Sequence, residues 1–158
     1  MLPRSVFFKL MSFYPPYIGA GVRLVKVADD LRTIRVEMGL HSWNRNYVGT
    51  QFGGSLYSMV DPFYMLMLME NLGSEFIIWD KAATIRFKKP GRGKVYAQLE
   101  VSEEVLQSIR DSVVRDGKCY PVFLVKILNG EGEVIAEVEK TLSVRPKRAA
   151  QASLSEKV

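Results

Sequence analysis

Between residues 22 and 144 the chain alternates apolar and polar positions in six short runs, broken once by a stretch that is apolar on every side. Residues 22–27 and 33–39 predict two strands around a turn at Asp29-Asp30, with Ile34, Val36 and Met38 on one face and Thr33, Arg35 and Glu37 on the other. So short a connection makes them a hairpin. Residues 82–88 set Ala83, Ile85 and Phe87 against Thr84, Arg86 and Lys88, and 95–101 align Val95, Ala97, Leu99 and Val101. Pro90, Gly91 and Gly93 lie between these runs and predict a second hairpin. Residues 122–128 and 134–144 flank Asn129-Gly130, a pair suited to a tight turn, and predict a third.

The stretch from Ser55 to Met69 is almost continuously apolar and holds Met59, Met65, Met67 and Met69. A helix from 56 to 69 rises about 21 Å, short of the ~30 Å of a bilayer core, so a buried central helix over 53–72 is expected, ending near Asn71 and Gly73. Apolar character all round requires cover on all sides, by a sheet and by a second subunit. A shorter helix is expected from Ser102, a cap followed by Glu103 and Glu104, to Gly117, with Val105, Leu106, Ile109 and Val113 inward. At the N-terminus, Val6, Phe7, Leu10, Met11 and Tyr14 share one helical face, and Pro15-Pro16 is expected to end that helix. This 1–16 segment reads as a helix docked on the core.

Strand runs without β-α-β alternation place the chain in the α+β class, as a curved antiparallel sheet of six strands wrapped around the apolar helix. Residues 1–144 form a single domain in this reading, and 145–158 a basic tail expected to be disordered. Of the net charge of +5, a surplus of +3 lies in that tail (Arg145, Lys147, Arg148 and Lys157 against Glu156), so the body is close to neutral. A nucleic-acid binder concentrates charge on one face of its fold, and here the excess sits in the tail, so no nucleic-acid partner is expected. Arg4 and Lys9 interrupt the apolar N-terminus, which lacks the pattern of a signal peptide, so a cytoplasmic protein with no stable membrane anchor is expected.

Candidate chemistry is narrowed by the single Cys119 and the single His41. One cysteine forms no internal disulfide, and one Cys with one His cannot supply a zinc site, so no metal is expected. Any imidazole mechanism depends on His41 alone. The informative segment runs from Asn46 through Gly53-Gly54 to Asp61. A double glycine at a helix start permits close approach, and the amides of the first turn can stabilise an anion. Asp61 falls within the apolar helix, where a carboxylate is costly unless paired or catalytic.

Asn46, Gly53-Gly54, six residues and Asp61, followed by Ile85-x-Phe87-x-x-Pro90 and then Gly91 or Gly93, resemble the hotdog-fold acyl-CoA thioesterases. The similarity is to the phenylacetyl-CoA thioesterase-like branch and its relatives of unknown function, over about residues 20–144. The resemblance implies a hotdog fold and a catalytic role for Asp61 as general base or nucleophile. It assigns polarisation of the thioester carbonyl to the amide of Gly54 or Gly53, and orientation of substrate or water to Asn46. The substrate would be an acyl-CoA or acyl-carrier thioester, with no cofactor, and the site would lie between subunits of a homodimer or homotetramer. Two departures are visible: Phe52, preceded by Gln51, stands where the family commonly has His, and Pro62 directly follows Asp61.

Gly54 and Asp61 lie about 10.5 Å apart along one helix, too far to act on one carbon, so two antiparallel central helices would have to bring Asp61 of one subunit to Gly54 of the other. Phe52, Gln51, Tyr57 and Met65, with Met59, Tyr64 and Trp43 nearby, are candidate acyl contacts or plain core. Arg86, Lys88, Lys89, Arg92 and Lys94 form a basic strand-turn-strand that either keeps a sheet edge solvated or receives the phosphates of coenzyme A. Two other functions stay open: a non-catalytic hotdog protein that binds an acyl thioester or lipid, favoured by Phe52 and Pro62, and a dehydratase, disfavoured because His41 precedes Ser42-Trp43.

Overall fold

The computed structural model describes Phe8 and residues 10–147. Six antiparallel strands, β1 Val22–Val27, β2 Thr33–Met38, β3 Phe76–Phe87, β4 Val95–Glu100, β5 Val122–Asn129 and β6 Val134–Pro146, form one sheet in the order β1-β2-β4-β5-β6-β3. The apolar rows of β2 and β4 are buried, Ile34, Val36 and Met38 on the first and Val95, Ala97 and Leu99 on the second, whereas the row on the edge strand β3 is not covered, with Ala83 and Phe87 exposed and Ile85 half-buried. The two buried rows share one core with Leu56, Met59, Phe63, Met67 and Leu68 of the apolar stretch, so the sheet wraps around that stretch as expected.

Three elements depart from the sequence reading. The central helix is two helices, α2 Gly53–Ser58 and α3 Phe63–Leu72, separated by turns at 59–62. Pro62 explains the break, because it has no N–H to bond the carbonyl of Ser58 and its ring crowds that carbonyl. Asp61 thus lies at a helix junction rather than in mid-helix. Second, the hairpin expected between 82–88 and 95–101 does not form: β3 begins at Phe76 and pairs with β6, two strands away from β4. Alternation fixes which face a residue takes but not which strand is its neighbour. The seven-residue link can cross three strand spacings, about 14 Å, with reach to spare. It is tethered on the way, since the amides of Lys88 and Lys89 both donate to the carbonyl of Ile135, at 2.8 and 3.2 Å.

Third, Pro15-Pro16 opens a helix instead of ending one. These prolines are the first residues of α1 Pro15–Ala20, where a missing N–H costs nothing, and Gly21 closes it at φ 78°. Met11–Phe13 is a single 3₁₀ turn, and residues 1–7 and 9 of the expected 1–16 helix lie outside the described residues. At the other end β6 carries Arg145 and Pro146 into the sheet, opposite Ile77 and Phe76, so the first two residues of the expected tail are strand. Residues 148–158 lie outside the described residues.

Helix α4 Glu103–Asp116 forms where expected, with Ser102 Oγ accepting from the Val105 amide at 3.3 Å and Gly117 in the left-handed region. Leu106, Ile109 and Val113 are buried, whereas Val105, expected inward, is exposed. Its position in the first turn, one residue off the 106–109–113 stripe, turns it to solvent. No helix among the described residues is long and apolar enough to cross a membrane.

Candidate functional site

The α2–α3 junction and strand β6 meet at one ion cluster. Along β6 the core-facing row is Ala136, Val138, Lys140, Leu142 and Val144, all buried, so Lys140 enters the apolar interior at an alternating position. It pairs across the sheet with Ala83 on β3 and Phe123 on β5. A register shift between Asp80 and Ala82 sets Asp80 opposite Leu142, on the same face as Lys140. The ammonium, on a residue only 1% exposed, reaches Asp61 Oδ1 at 2.5 Å and Asp80 Oδ2 at 3.0 Å, and also donates to the main-chain carbonyl of Asp61. Three donors meet three acceptors, which is how a buried lysine is tolerated.

Electrostatics around the cluster follow from these contacts. Burial alone would lower the Lys140 pKa, but its bonds to Asp61 and Asp80 outweigh that and hold it above the usual lysine range. The ammonium also sits 5.4 Å from the centroid of the Tyr57 ring. Burial, then hydrogen bonding to the Asp61 carboxylate, raises the Tyr57 hydroxyl above its ordinary value. Tyr17, brought in by α1, is buried with no hydrogen-bond partner for its hydroxyl among the described residues, and burial followed by the Asp61 charge raises it further. Asp61 keeps 43% of its side chain exposed. A fixed, partly solvated carboxylate of this kind can take a proton from water or attack an electrophile.

A separate cleft of about 460 Å³ lies between the start of α2 and the β3–β4 link, lined by Asn46, Gln51, Gly53, Phe87, Lys88, Lys89 and Arg92 among others. Much of the predicted site is therefore gathered here, but Asp61 is not. Asn46 organises the wall: its Oδ1 accepts from the Thr50 amide at 2.9 Å and its Nδ2 donates to Thr50 Oγ1 at 2.9 Å. Gln51 is buried and joins the two loops, donating from Nε2 to the Gly93 carbonyl at 2.9 Å while its amide donates to the Gly91 carbonyl at 2.9 Å.

The two glycines face different ways. A Cβ on Gly53 would lie 2.9 Å from the Phe87 ring, and one on Gly54 2.6 Å from the Phe52 ring, so each is covered by an aromatic edge that needs the space. Gly54 and Phe52 belong to a second depression beside Trp43 and Ser58. Tyr57 lies at the ion cluster, and Met65, half-buried on α3, packs against the core.

The basic residues divide as well. Lys88 pairs with Glu137 at 3.1 Å, Lys89 with Glu133 at 2.5 Å and Lys94 with Glu37 at 3.3 Å. Arg86 lies opposite Glu137 on the outer sheet face and does not line the cleft. Arg92 lines it and forms no ion pair among the described residues. His41 stacks on Trp43 with ring centroids 4.3 Å apart, and no group of potential metal ligands exists among the described residues.

Lys140, Asp80 and Tyr17 were not identified from sequence. Lys140 carried a usable signal, because it interrupts the apolar row between Val138 and Leu142. Asp80 lies before the stretch assigned to a strand, and its inward turn depends on a bulge that alternation does not reveal.

With this geometry in view, known proteins give a consistent frame. The model of a domain of unknown function, DUF4442, matches residues 4–144, and the chain belongs to that family. No curated protein matches it. Among solved structures it resembles PA5026 of Pseudomonas aeruginosa, a protein of unknown function described as a probable thioesterase. They share 19% identity and a TM-score of 0.78 over 92% of this chain and 97% of that one. A protein of unknown function from Chlorobaculum tepidum matches with TM-score 0.71 and 19% identity over 92% and 97% of the two chains. Thioesterase HI1161 of Haemophilus influenzae matches with TM-score 0.66 and 14% identity over 90% of each. The fold is the α+β hotdog fold, a curved six-stranded antiparallel sheet around a central helical segment.

Proposed function

We propose that the protein is a thioester hydrolase acting on an acyl-CoA or acyl-carrier thioester, with Asp61 as its reactive carboxylate. The observation that carries this reading is the placement of Asp61: a carboxylate fixed by a buried lysine at a helix junction, with 43% of its side chain still open. The solved relatives of this fold that are called thioesterases support it. In the proposed reaction Asp61 removes a proton from water that attacks the thioester carbonyl, or attacks it directly. Amides at the start of α2, Gly54 foremost, stabilise the oxyanion.

Within one chain the Gly53 cleft and Asp61 are separate, so the proposed site is composite, with Asp61 of one subunit facing the helix start of a second. Strand β3 supports this assembly. It is twelve residues long, pairs among the described residues with β6 alone, and leaves Trp79 and Phe87 exposed. A long edge with exposed aromatics is a template for pairing with a second copy. In the cleft, Arg92 is the basic side chain available to a coenzyme A phosphate, while Lys88 and Lys89 are engaged by glutamates.

A non-catalytic thioester binder is the second reading, favoured by the Phe52 ring over Gly54 where a polar donor would serve catalysis better. Thiol release from a panel of acyl-CoAs, measured beside ligand-dependent thermal shifts, separates the two. An enzyme releases thiol and loses that activity in Asp61→Asn, whereas a binder shifts in melting temperature and releases none.

A further inference from the structure

Three polar features of the interior lie outside that reading: the unpartnered Tyr17 hydroxyl, the unpartnered Gln51 Oε1, and Lys140. The first two are single buried atoms, neither of which touches the proposed reactive group. Lys140 differs because it touches the proposed reactive group directly.

We infer that Lys140 is the positioning residue of the site, fixing both the main chain and one carboxylate oxygen of Asp61 so that the rest of the carboxylate is presented outward. The inference rests on the hydrolase reading and adds the residue that makes it geometrically possible. Two helix ends meet at Asp61 because Pro62 breaks the ladder, and a junction of that kind leaves the side chain without a rigid backbone to set its direction. Lys140 supplies that rigidity from the sheet. Its ammonium donates to the Asp61 carbonyl and to Oδ1 at 2.5 Å, two points on one residue, which fixes its position and rotation together.

Asp80 completes the device. Its Oδ2 holds the third N–H at 3.0 Å, so the lysine cannot swing toward either carboxylate without losing the other. One cation between two anions also leaves the cluster with a single negative charge. That charge resides where solvent reaches, since the Asp61 side chain is 43% exposed and Asp80's 33%. Tyr57 closes the cluster on the ring side, with the ammonium 5.4 Å from its centroid. Lys140 itself is sealed at 1% exposure and cannot touch a substrate, so it acts only through Asp61.

The test separates positioning from folding. Lys140→Met leaves two carboxylates uncompensated, and adding Asp80→Asn removes one of those charges while keeping its shape. The double variant is expected to recover melting temperature relative to Lys140→Met yet to hydrolyse acyl-CoA with kcat about a hundredfold below the native chain and KM within threefold, because a misdirected reactive group costs about that much. Asp80→Asn alone, which keeps a side-chain oxygen for the third N–H, serves as the melting-temperature reference for the double variant. A folded double variant with native kcat overturns the inference. So does one in which KM rises and kcat holds. Should the double variant not fold, Lys140→Gln replaces it under the same two outcomes. Asp61→Asn, run in parallel, isolates the underlying reading: native kcat in that variant overturns the hydrolase mechanism, and the role of Lys140 with it.

Discussion

Lys140 on β6 and Asp61 at the α2–α3 junction are joined across 79 positions of sequence by a 2.5 Å contact, and the lysine is almost fully buried. Such a contact ties the sheet to the break in the central helix. It also explains how a carboxylate persists in the most apolar stretch of the chain.

Stability should register the cluster directly. Lys140→Met exposes Asp61 and Asp80 to each other without their cation. Because both carboxylates are partly solvated, the loss should be about 2 kcal/mol, below the 3–5 typical of a fully buried pair. Urea unfolding followed by far-UV circular dichroism measures it, and a loss under about 0.5 kcal/mol would show that the pair is solvated away.

Alkaline pH should destabilise the fold. Tyr64 is buried, stacks on Phe123 at 4.3 Å, and is pushed up to about 12, chiefly by burial, while Lys140 is also held above its ordinary range. In each case the folded state keeps a proton that the unfolded chain releases near pH 10, so the stability they contribute is full below pH 10 and declines as pH rises toward the folded values. Tyr64 alone accounts for about 2–3 kcal/mol of that decline by pH 12. Tyr64→Phe should therefore flatten the fall in unfolding free energy between pH 9 and 11.5, and an unchanged slope would contradict the assignment.

Arg92 and Lys89 offer a contrast within one cleft. Arg92→Glu should raise KM for acyl-CoA about tenfold, equivalent to about 1.4 kcal/mol, and leave kcat within twofold. The same variant should treat an acyl-pantetheine, which lacks the nucleotide phosphates, like the native chain. Lys89→Glu should change KM less, because Glu133 already engages that lysine at 2.5 Å. Equal effects of both variants on both substrates would reject a phosphate contact at Arg92.

Phe52 stands at the start of α2, half exposed, with its ring against Gly54. Phe52→His places a donor where the resembling thioesterases commonly carry one. It should raise kcat at least fivefold with little change in melting temperature, since an added oxyanion donor contributes up to about a hundredfold. An unaltered or lower kcat in the folded variant would show that the carbonyl is polarised elsewhere.

Much of the sheet is legible in the chain because alternation reports burial, as in the rows 34–36–38 and 95–97–99, and the helical row 106–109–113 is legible from its own period. Partner choice is not legible: β3 pairs with β6 through contacts 49 to 70 residues apart, and no local pattern encodes that neighbour. Proline acts in opposite ways at two places in the chain. Pro15-Pro16 opens a helix because the first turn tolerates a missing N–H, whereas Pro62, inside an apolar run, divides one. Asp61 stood out because a carboxylate among Met59, Val60 and Phe63 is costly, but its solution lay in Lys140, which reads locally as one polar residue in a strand.

The hydrolase reading depends most on Asp61. Steady-state release of coenzyme A thiol from a panel of acyl-CoAs, by the native chain and by Asp61→Asn at matched melting temperature, tests it most directly. Turnover by the native chain and a loss of at least a hundredfold in kcat in the variant is the predicted result; equal turnover in both, or no thiol release by either, would contradict it.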